Sequence, residues 1–277
     1  MSHTYINGRL FETNDAAVSA HDHGLVTGDG VFETLAVYDG TPFAVRRHLQ
    51  RLARSVAGIR LAPPDLDEIE RAIFEVVAKD EISFGKVRVT YTAGNGPLGS
   101  DRDKDASPLL VVAASPLAPL SRTARVSIAP WPRNERGVLS GLKTTSYAEN
   151  VVALDWALSQ GSNEVIFANT KGDLCEGSGS NIFLVVDGQL ITPTLESGCL
   201  AGVTRDLIIE YLGAKEMDVP ISTLVSSRTS EAFLASTLRD AQSITHVDET
   251  PLHNAIGPVS LRIAKELKEL IMDNLNP

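Results

Sequence analysis

Two spacings of apolar residues recur along this chain. Val31 to Tyr38 alternates two sets of side chains, and Asp39-Gly40 then reads as a hairpin turn before Thr41-Pro42-Phe43. Over residues 46–59 the apolar positions Leu49, Leu52, Ala53, Val56 and Ile59 fall at helical spacing. Pro63-Pro64 break the chain, and Asp65 caps a second helix with Glu68 three residues on and Leu66, Ile69, Ile73, Val76 and Val77 along one side. Lys86 to Thr92 alternates again as a strand, and Pro108 to Ala114 is a short apolar run that predicts a buried strand. The segment SPLAPLSR (115–122), with two prolines and two serines, predicts an interdomain linker. The expected division is residues 1–118, a linker at 119–124, and residues 125–277.

Beyond the linker, the pattern predicts a strand near 125–129, a loop WPRNERGVLSG and a helix over about 147–160, for which Ser146 and Glu149 have capping-box spacing. Glu164–Ala168 and Asn181–Val186 read as strands, and Asp187-Gly188 turns the second into Gln189–Thr192. A helix near 204–212 ends at Gly213, Glu231 to Ala235 is a short strand, and a last amphipathic helix over about 258–272 has Pro258 near its start. There is no internal repeat.

Composition narrows the classes. The 277 residues are 43% hydrophobic and 22% charged, which excludes whole-chain disorder. Lys and Arg number 25 against 35 Asp and Glu, a net charge of −10, where a nucleic-acid binder should show a basic surplus. No apolar run is long enough for a membrane helix, and MSHTYINGRLFETND has no basic start followed by an apolar block, so neither a membrane partner nor a signal peptide is expected. Cys175 and Cys199 cannot make a disulfide framework. A reducing, cytoplasmic setting fits.

Three local motifs read better as ordinary structure. Gly94-Asn-Gly96-Pro-Leu-Gly99 follows a strand, but Pro97 and the polar SDRDKD predict a loop where a dinucleotide site needs a helix. Ser140-Gly-Leu-Lys143 has serine-acylase spacing but is flanked by glycines and lacks the companion motifs. His21-Asp22-His23 has no third ligand at suitable spacing, so no metal is expected.

Lys143 is more informative. It follows a glycine-containing loop, has apolar neighbours, and stands just before a helix. Glu176, in DLCEGSGSN, lies between a strand and the apolar run IFLVV and reads as a loop residue. A lysine buried enough to be partly neutral, and a carboxylate able to keep a pyridine nitrogen protonated, are what a pyridoxal phosphate site needs. The phosphate needs N–H groups at a helix start and a guanidinium. Ala201-Gly202-Val203-Thr204-Arg205 enters a helix, Arg51 is a cation on the helix 46–59, and Ser236-Thr237 end a strand with two hydroxyls.

The segments GDGVFETL (28–35), RRHLQRL (46–52), LKTTSYAENV (142–151), DLCEGSGSNIFLV (173–185), SGCLAGVTR (197–205) and FLASTLRD (233–240) together resemble the class IV aminotransferase family, over nearly the whole chain. The resemblance implies an α+β, two-domain pyridoxal phosphate fold type IV, with a small N-terminal α/β domain, a larger C-terminal cofactor-binding domain, pyridoxal 5'-phosphate as cofactor, and a homodimer. Lys143 matches the lysine joined to the cofactor, which later moves a proton at the substrate. Glu176 matches the carboxylate on the pyridine nitrogen, and Arg51 the phosphate-binding arginine. Val203, Thr204, Ser236 and Thr237 fall at the remaining phosphate positions, and Tyr147 is matched to the cofactor's phenolic oxygen. The loop TAGNGPLGSD lacks the arginine and histidine typical of members acting on D-amino acids, and Thr27 stands where branched-chain enzymes often carry tyrosine. The Phe-Glu-Thr34 pattern resembles 4-amino-4-deoxychorismate lyases, whose matching threonine assists proton transfer. The expectation is therefore that lyase, with a transaminase of amino acids or primary amines as the alternative. Arg133 and Arg136 are expected to hold a substrate carboxylate.

Overall fold

In a computed structural model the chain divides into two compact units, one of Met1–Pro119, Leu142–Tyr147 and Asn274–Pro277, the other of Leu120–Gly141 and Ala148–Asp273. Residues 2–118, 120–252, 254 and 256–277 are described, so Pro119, the first residue of the expected linker, lies outside them.

The first unit contains β1 (His3–Ile6), β2 (Arg9–Glu12), the single turn α1 (His23–Val26), β3 (Gly30–Tyr38), β4 (Thr41–Pro42), α2 (Val45–Gly58), α3 (Leu66–Lys79), β5 (Phe84–Thr92) and β6 (Leu109–Pro116). The strands form an antiparallel sheet ordered β2-β1-β6-β5-β3-β4. Asp39 (φ 48°) and Gly40 (φ 77°) make the expected two-residue turn. A second such turn, at Asn7 (φ 41°) and Gly8 (φ 83°), joins β1 to β2. Asp65 caps α3, its Oδ1 accepting from the N–H groups of Asp67 and Glu68 at 3.0 Å. Alternation sends Val31, Leu35, Val37, Val87 and Val89 to one side of the sheet, where they pack with Leu49, Leu52, Ile69 and Ile73 of the two helices. Phe32, Thr34 and Arg88 occupy the opposite side.

Leu142–Tyr147 runs beside β3 in this unit. Phe32 N–H donates to Lys143 O (3.0 Å) and Thr145 N–H to Gly30 O (2.8 Å). Ser146 Oγ donates to Gly28 O (3.0 Å), and the following helix begins at Ala148. Ser146 is thus engaged by the Gly28 turn, and the expected capping box is not formed.

The second unit contains β7 (Thr123–Ile128), α4 (Ala148–Ser159), β8 (Glu164–Ala168), β9 (Leu174–Gly177), β10 (Asn181–Val186), β11 (Gln189–Thr192), α5 (Val203–Leu212), β12 (Lys215–Glu216), β13 (Thr229–Ser236), β14 (Asp240–Val247), β15 (Thr250–Pro251) and α6 (Pro258–Asp273). Its sheet is ordered β12-β11-β10-β13-β14-β7-β8-β9, with β15 on β14. Glu176 therefore belongs to a strand, β9, rather than to a loop. The strand pattern misses β14 because Gln242, Ser243 and Ile244 are buried in succession there, which erases the alternation. Among the described residues no helix is long and apolar enough to cross a membrane.

Candidate active site

The first unit gathers three of its side chains, Lys143, Arg88 and Tyr147, around the ring of Phe32. Lys143 Nζ stands 4.3 Å from the Phe32 centroid and the Arg88 guanidinium carbon 3.8 Å from it. Tyr147 meets the same ring edge-on, with centroids 5.3 Å apart. Thr34 pairs directly with Arg88 across β3 and β5. Arg88 is exposed in this chain. Crowding by protein lowers its pKa, a trend that Tyr147 opposes, but a guanidinium stays charged near neutrality. Lys143 is half-buried, its N–H donating to Ser55 Oγ at 3.2 Å.

On the other side of the same sheet, Arg51 reaches Glu33 through two parallel bonds, Nε to Oε1 at 2.8 Å and Nη2 to Oε2 at 2.7 Å. His48 Nδ1 lies 2.7 Å from Glu33 Oε2. All three side chains are buried. Burial pushes the Glu33 carboxyl up, but Arg51 and His48 overcome it and hold it far below the usual carboxylate range. Burial pushes the His48 imidazole down, Glu33 pulls it part of the way back, and the charges of Arg51 and Lys143 lower it further. Glu33, His48 and Arg88 are not among the site residues expected from the sequence. A glutamate on the apolar side of Val31-x-Glu33-x-Leu35 is a visible signal. Arg88 gives none, because a polar residue on the outward side of a strand is ordinary.

The second unit carries the other expected residues. Glu176 Oε2 accepts from Leu200 N–H (2.9 Å), and Oε1 lies 4.0 Å from Arg133 Nε. Arg133 also donates to Glu149 (2.7 Å) and Asn150 (2.8 Å) and lies over Phe167 at 4.1 Å. Only its Nη1 makes these bonds, and Nε and Nη2 are buried beside Glu176 without a hydrogen-bond partner among the described residues, while Arg136 is 79% exposed next to Glu135. Nearby, burial raises the thiols of Cys175 and of Cys199, the latter to about 12, so neither is a ready nucleophile. Val203 and Thr204 open α5 behind Gly202, and no side chain caps that helix start. A Cβ on Gly202 would lie 2.0 Å from Asn181 Oδ1, while Asn181 Nδ2 donates to Leu200 O at 2.9 Å. Ser236 and Thr237 are half-buried at the end of β13.

The remaining motifs are structural. Asp22 caps α1 and accepts from Thr92 Oγ1 at 2.7 Å, and His23 Nε2 lies 2.9 Å from Pro97 O. Residues 94–99 form a loop, with Asn95 bridged to Asp22. Thr27 Oγ1 donates to His23 O at 3.0 Å. The described residues contain no cluster of metal-ligating side chains.

The sequence profile of the amino-transferase class IV family matches residues 30–247. The chain belongs to the class IV aminotransferase family. It is 30% identical to a putative branched-chain-amino-acid aminotransferase of Methanocaldococcus jannaschii, over 96% of this chain and 95% of that one. It is 29% identical to an aminodeoxychorismate lyase of Bacillus subtilis, with the same shares of the two chains. The T.th. branched-chain amino acid aminotransferase, complexed with N-(5'-phosphopyridoxyl)-L-glutamate, superposes with a TM-score of 0.90 at 26% identity, over 98% of this chain and 94% of that one. The class IV chain is therefore an enzyme with the fold type IV architecture that the motifs imply.

Proposed function

We propose that this class IV enzyme is a transaminase that takes an amino group from an amino acid and gives it to a 2-keto acid. The observation that carries this reading is Arg88. It is an exposed cation on the same phenylalanine ring as the Lys143 amine, placed to hold a carboxylate next to the amino group that reacts. In this reading Arg88 joins Arg133 and Arg136 as a residue for the substrate carboxylate.

Pyridoxal 5'-phosphate is the cofactor, and it supplies a carbonyl for the amino group and a ring that accepts negative charge. The residues present fit it. The uncapped start of α5 offers N–H groups to a phosphate, and Gly202 leaves the close approach that a side chain would fill. Val203, Thr204, Ser236, Thr237 and Arg51 serve the phosphate. Glu176 holds the proton on the pyridine nitrogen, and its anchoring by Leu200 N–H fixes the direction of the carboxylate. Tyr147 serves the phenolic oxygen. Lys143 Nζ binds the cofactor, then removes and returns the proton at the substrate's reacting carbon as a general base and acid. The exposed apolar face of α4 supports a homodimer as the working form.

A second reading is favoured by Thr34, whose position opposite Arg88 puts a hydroxyl on the Lys143 side of the sheet. It is 4-amino-4-deoxychorismate lyase activity. Lys143 removes the proton from the amine-bearing ring carbon, the bond to the enolpyruvyl oxygen breaks, and Thr34 or Lys143 protonates the departing group. The products are pyruvate and 4-aminobenzoate. The assay offers branched-chain and D-amino donors with 2-oxoglutarate, and separately aminodeoxychorismate with no acceptor. Amino exchange that Arg88→Gln slows by about tenfold or more, mostly through KM, is the expected result. Pyruvate release without an acceptor, in the absence of exchange, would overturn the transaminase reading in favour of the lyase.

A further inference from the structure

We propose that Arg239 is a positioning residue that ties the turn presenting Ser236 and Thr237 to the loop following Glu176, with the buried Glu164 carboxylate as the hub. This rests on the cofactor reading above, in which these two segments hold the phosphate and the pyridine nitrogen.

Glu164 opens β8 and is only 1% exposed. Its Oε1 accepts the N–H groups of Val165 (3.0 Å) and Ser178 (3.1 Å) and the Ser178 hydroxyl. Its Oε2 accepts the Ser180 hydroxyl and Arg239 Nη2, each at 3.1 Å. One carboxylate thus gathers Ser178 and Ser180 of the loop that leaves β9 one residue after Glu176. The packing is tight, since a Cβ on Gly177 would lie 3.2 Å from Glu164 Cδ and 2.6 Å from Ser180 Oγ. Asn150 Nδ2 fastens the same loop from outside by donating to Ser178 O at 2.6 Å.

Arg239 stands two residues after Thr237, in the short turn between β13 and β14, and its N–H closes that turn onto Ser236 O at 3.1 Å. The other arm of its guanidinium, Nη1, donates to Gln242 Oε1. The Gln242 amide in turn donates to Ser121 O (2.7 Å) and Thr123 O (3.3 Å) at the start of β7. A planar fork can bridge Glu164 and Gln242 at once, which a lysine ammonium cannot do with the same geometry. A carboxylate this deeply buried also needs a cation, and Arg239 provides it. Two segments about 60 residues apart in the sequence are therefore held by one charge-assisted contact, which sets how the hydroxyls of Ser236 and Thr237 stand relative to the Glu176 strand.

The test titrates the apo-protein with pyridoxal phosphate and, separately, with pyridoxal, following the cofactor absorbance, and records thermal stability alongside. Arg239→Lys keeps the charge and loses the fork. It should raise the Kd for pyridoxal phosphate by about tenfold while changing that for pyridoxal by less than about twofold. Glu164→Gln should weaken both, because it frees both segments. Unchanged binding of pyridoxal phosphate by Arg239→Lys would overturn the proposal, as would equal loss of both ligands together with lost thermal stability, the mark of a merely structural role. Lys143→Ala is the control for the cofactor reading. A wild-type chain that takes up no pyridoxal phosphate, with a spectrum like that of Lys143→Ala, sinks that reading and this proposal with it. A wild type that binds normally, with Arg239→Lys unchanged, sinks this proposal alone.

Discussion

Glu33, His48 and Arg51 show how single residues decide the charge of a site. Arg51 and Glu33 neutralise one another through two parallel hydrogen bonds, which leaves a buried imidazole little reason to take a proton. With Nδ1 donating to Glu33, neutral His48 keeps only a lone pair at Nε2, an atom that is buried without a hydrogen-bond partner. Protonating it would bury an unpaired N–H donor beside two cations, Arg51 and Lys143. The sign of the pH dependence follows. The unfolded chain takes up a proton at His48 near 6.5 while the folded chain does not, so stability falls as pH drops below that value, by at most ~1.4 kcal/mol per pH unit. Glu33 is held low when folded and titrates near 4.5 when unfolded, so a second, steeper loss begins below that pH. Denaturant unfolding between about pH 8 and 3 should show both breaks, and His48→Gln should abolish the upper one. A wild-type profile that is flat from neutrality down to the carboxylate range would rule out a neutral His48. At this scale the sequence is informative where a residue breaks its own pattern. Glu33 on an apolar strand side, and Lys143 among apolar neighbours, both do so. Arg88 does not, because Lys86, Arg88 and Thr90 read as the solvated side of β5, and only the fold shows that Phe32 and Lys143 share it.

Among the elements, periodicity locates α2, α3, α5 and α6 to within a few residues, and the Asp-Gly turns fix two hairpins. These features are local, since 3.6-residue spacing and left-handed turn residues depend on nothing distant. What the pattern leaves out is set by neighbours. β9 pairs with β8 through a register shift, and β14 buries polar residues against β7 and β13. The Ser146 hydroxyl goes to the Gly28 turn instead of to a helix cap. The start of α5 joins both kinds of information. Its glycine and following hydroxyl residue are legible, but the need for glycine comes from Asn181, at the start of β10. Gly202→Ala must displace the Asn181 amide, which also fastens Leu200, whose N–H holds Glu176. This variant should raise the Kd for pyridoxal phosphate by about tenfold or more, and unlike Arg239→Lys it should weaken pyridoxal as well, because the disturbance reaches the Glu176 anchor. Spectroscopic titration of the two ligands separates these cases, and an alanine variant with native affinity for both would show that the loop yields without consequence.

For the whole molecule, the question is what covers α4. The helix reads AENVVALDWALS, with Ala153 and Ala157 buried against Val165, Phe167, Cys175 and Cys199. Its outward side should then be polar, yet Val151, Val152 and Leu158 are 60%, 58% and 55% exposed. Scattered apolar residues are normal on a surface, but three on one short helix whose polar residues are few form a stripe that association would bury. Full burial of each such side chain is worth ~1.5–3 kcal/mol, so one symmetric pair of helices supplies several kcal/mol toward a dimer. The periodicity of the segment does not reveal this, because a helix apolar on both sides gives no amphipathic contrast and reads as buried. Val151→Asp combined with Val152→Asp puts charge where the partner helix would lie, at little cost to the isolated fold, since both positions already face water. Sedimentation equilibrium should find the wild type at twice the chain mass and this double variant at the monomer mass, with amino exchange reduced in step with dissociation. A wild type that sediments as a monomer at micromolar concentration would remove the need for a partner and leave α4 as a surface open to water.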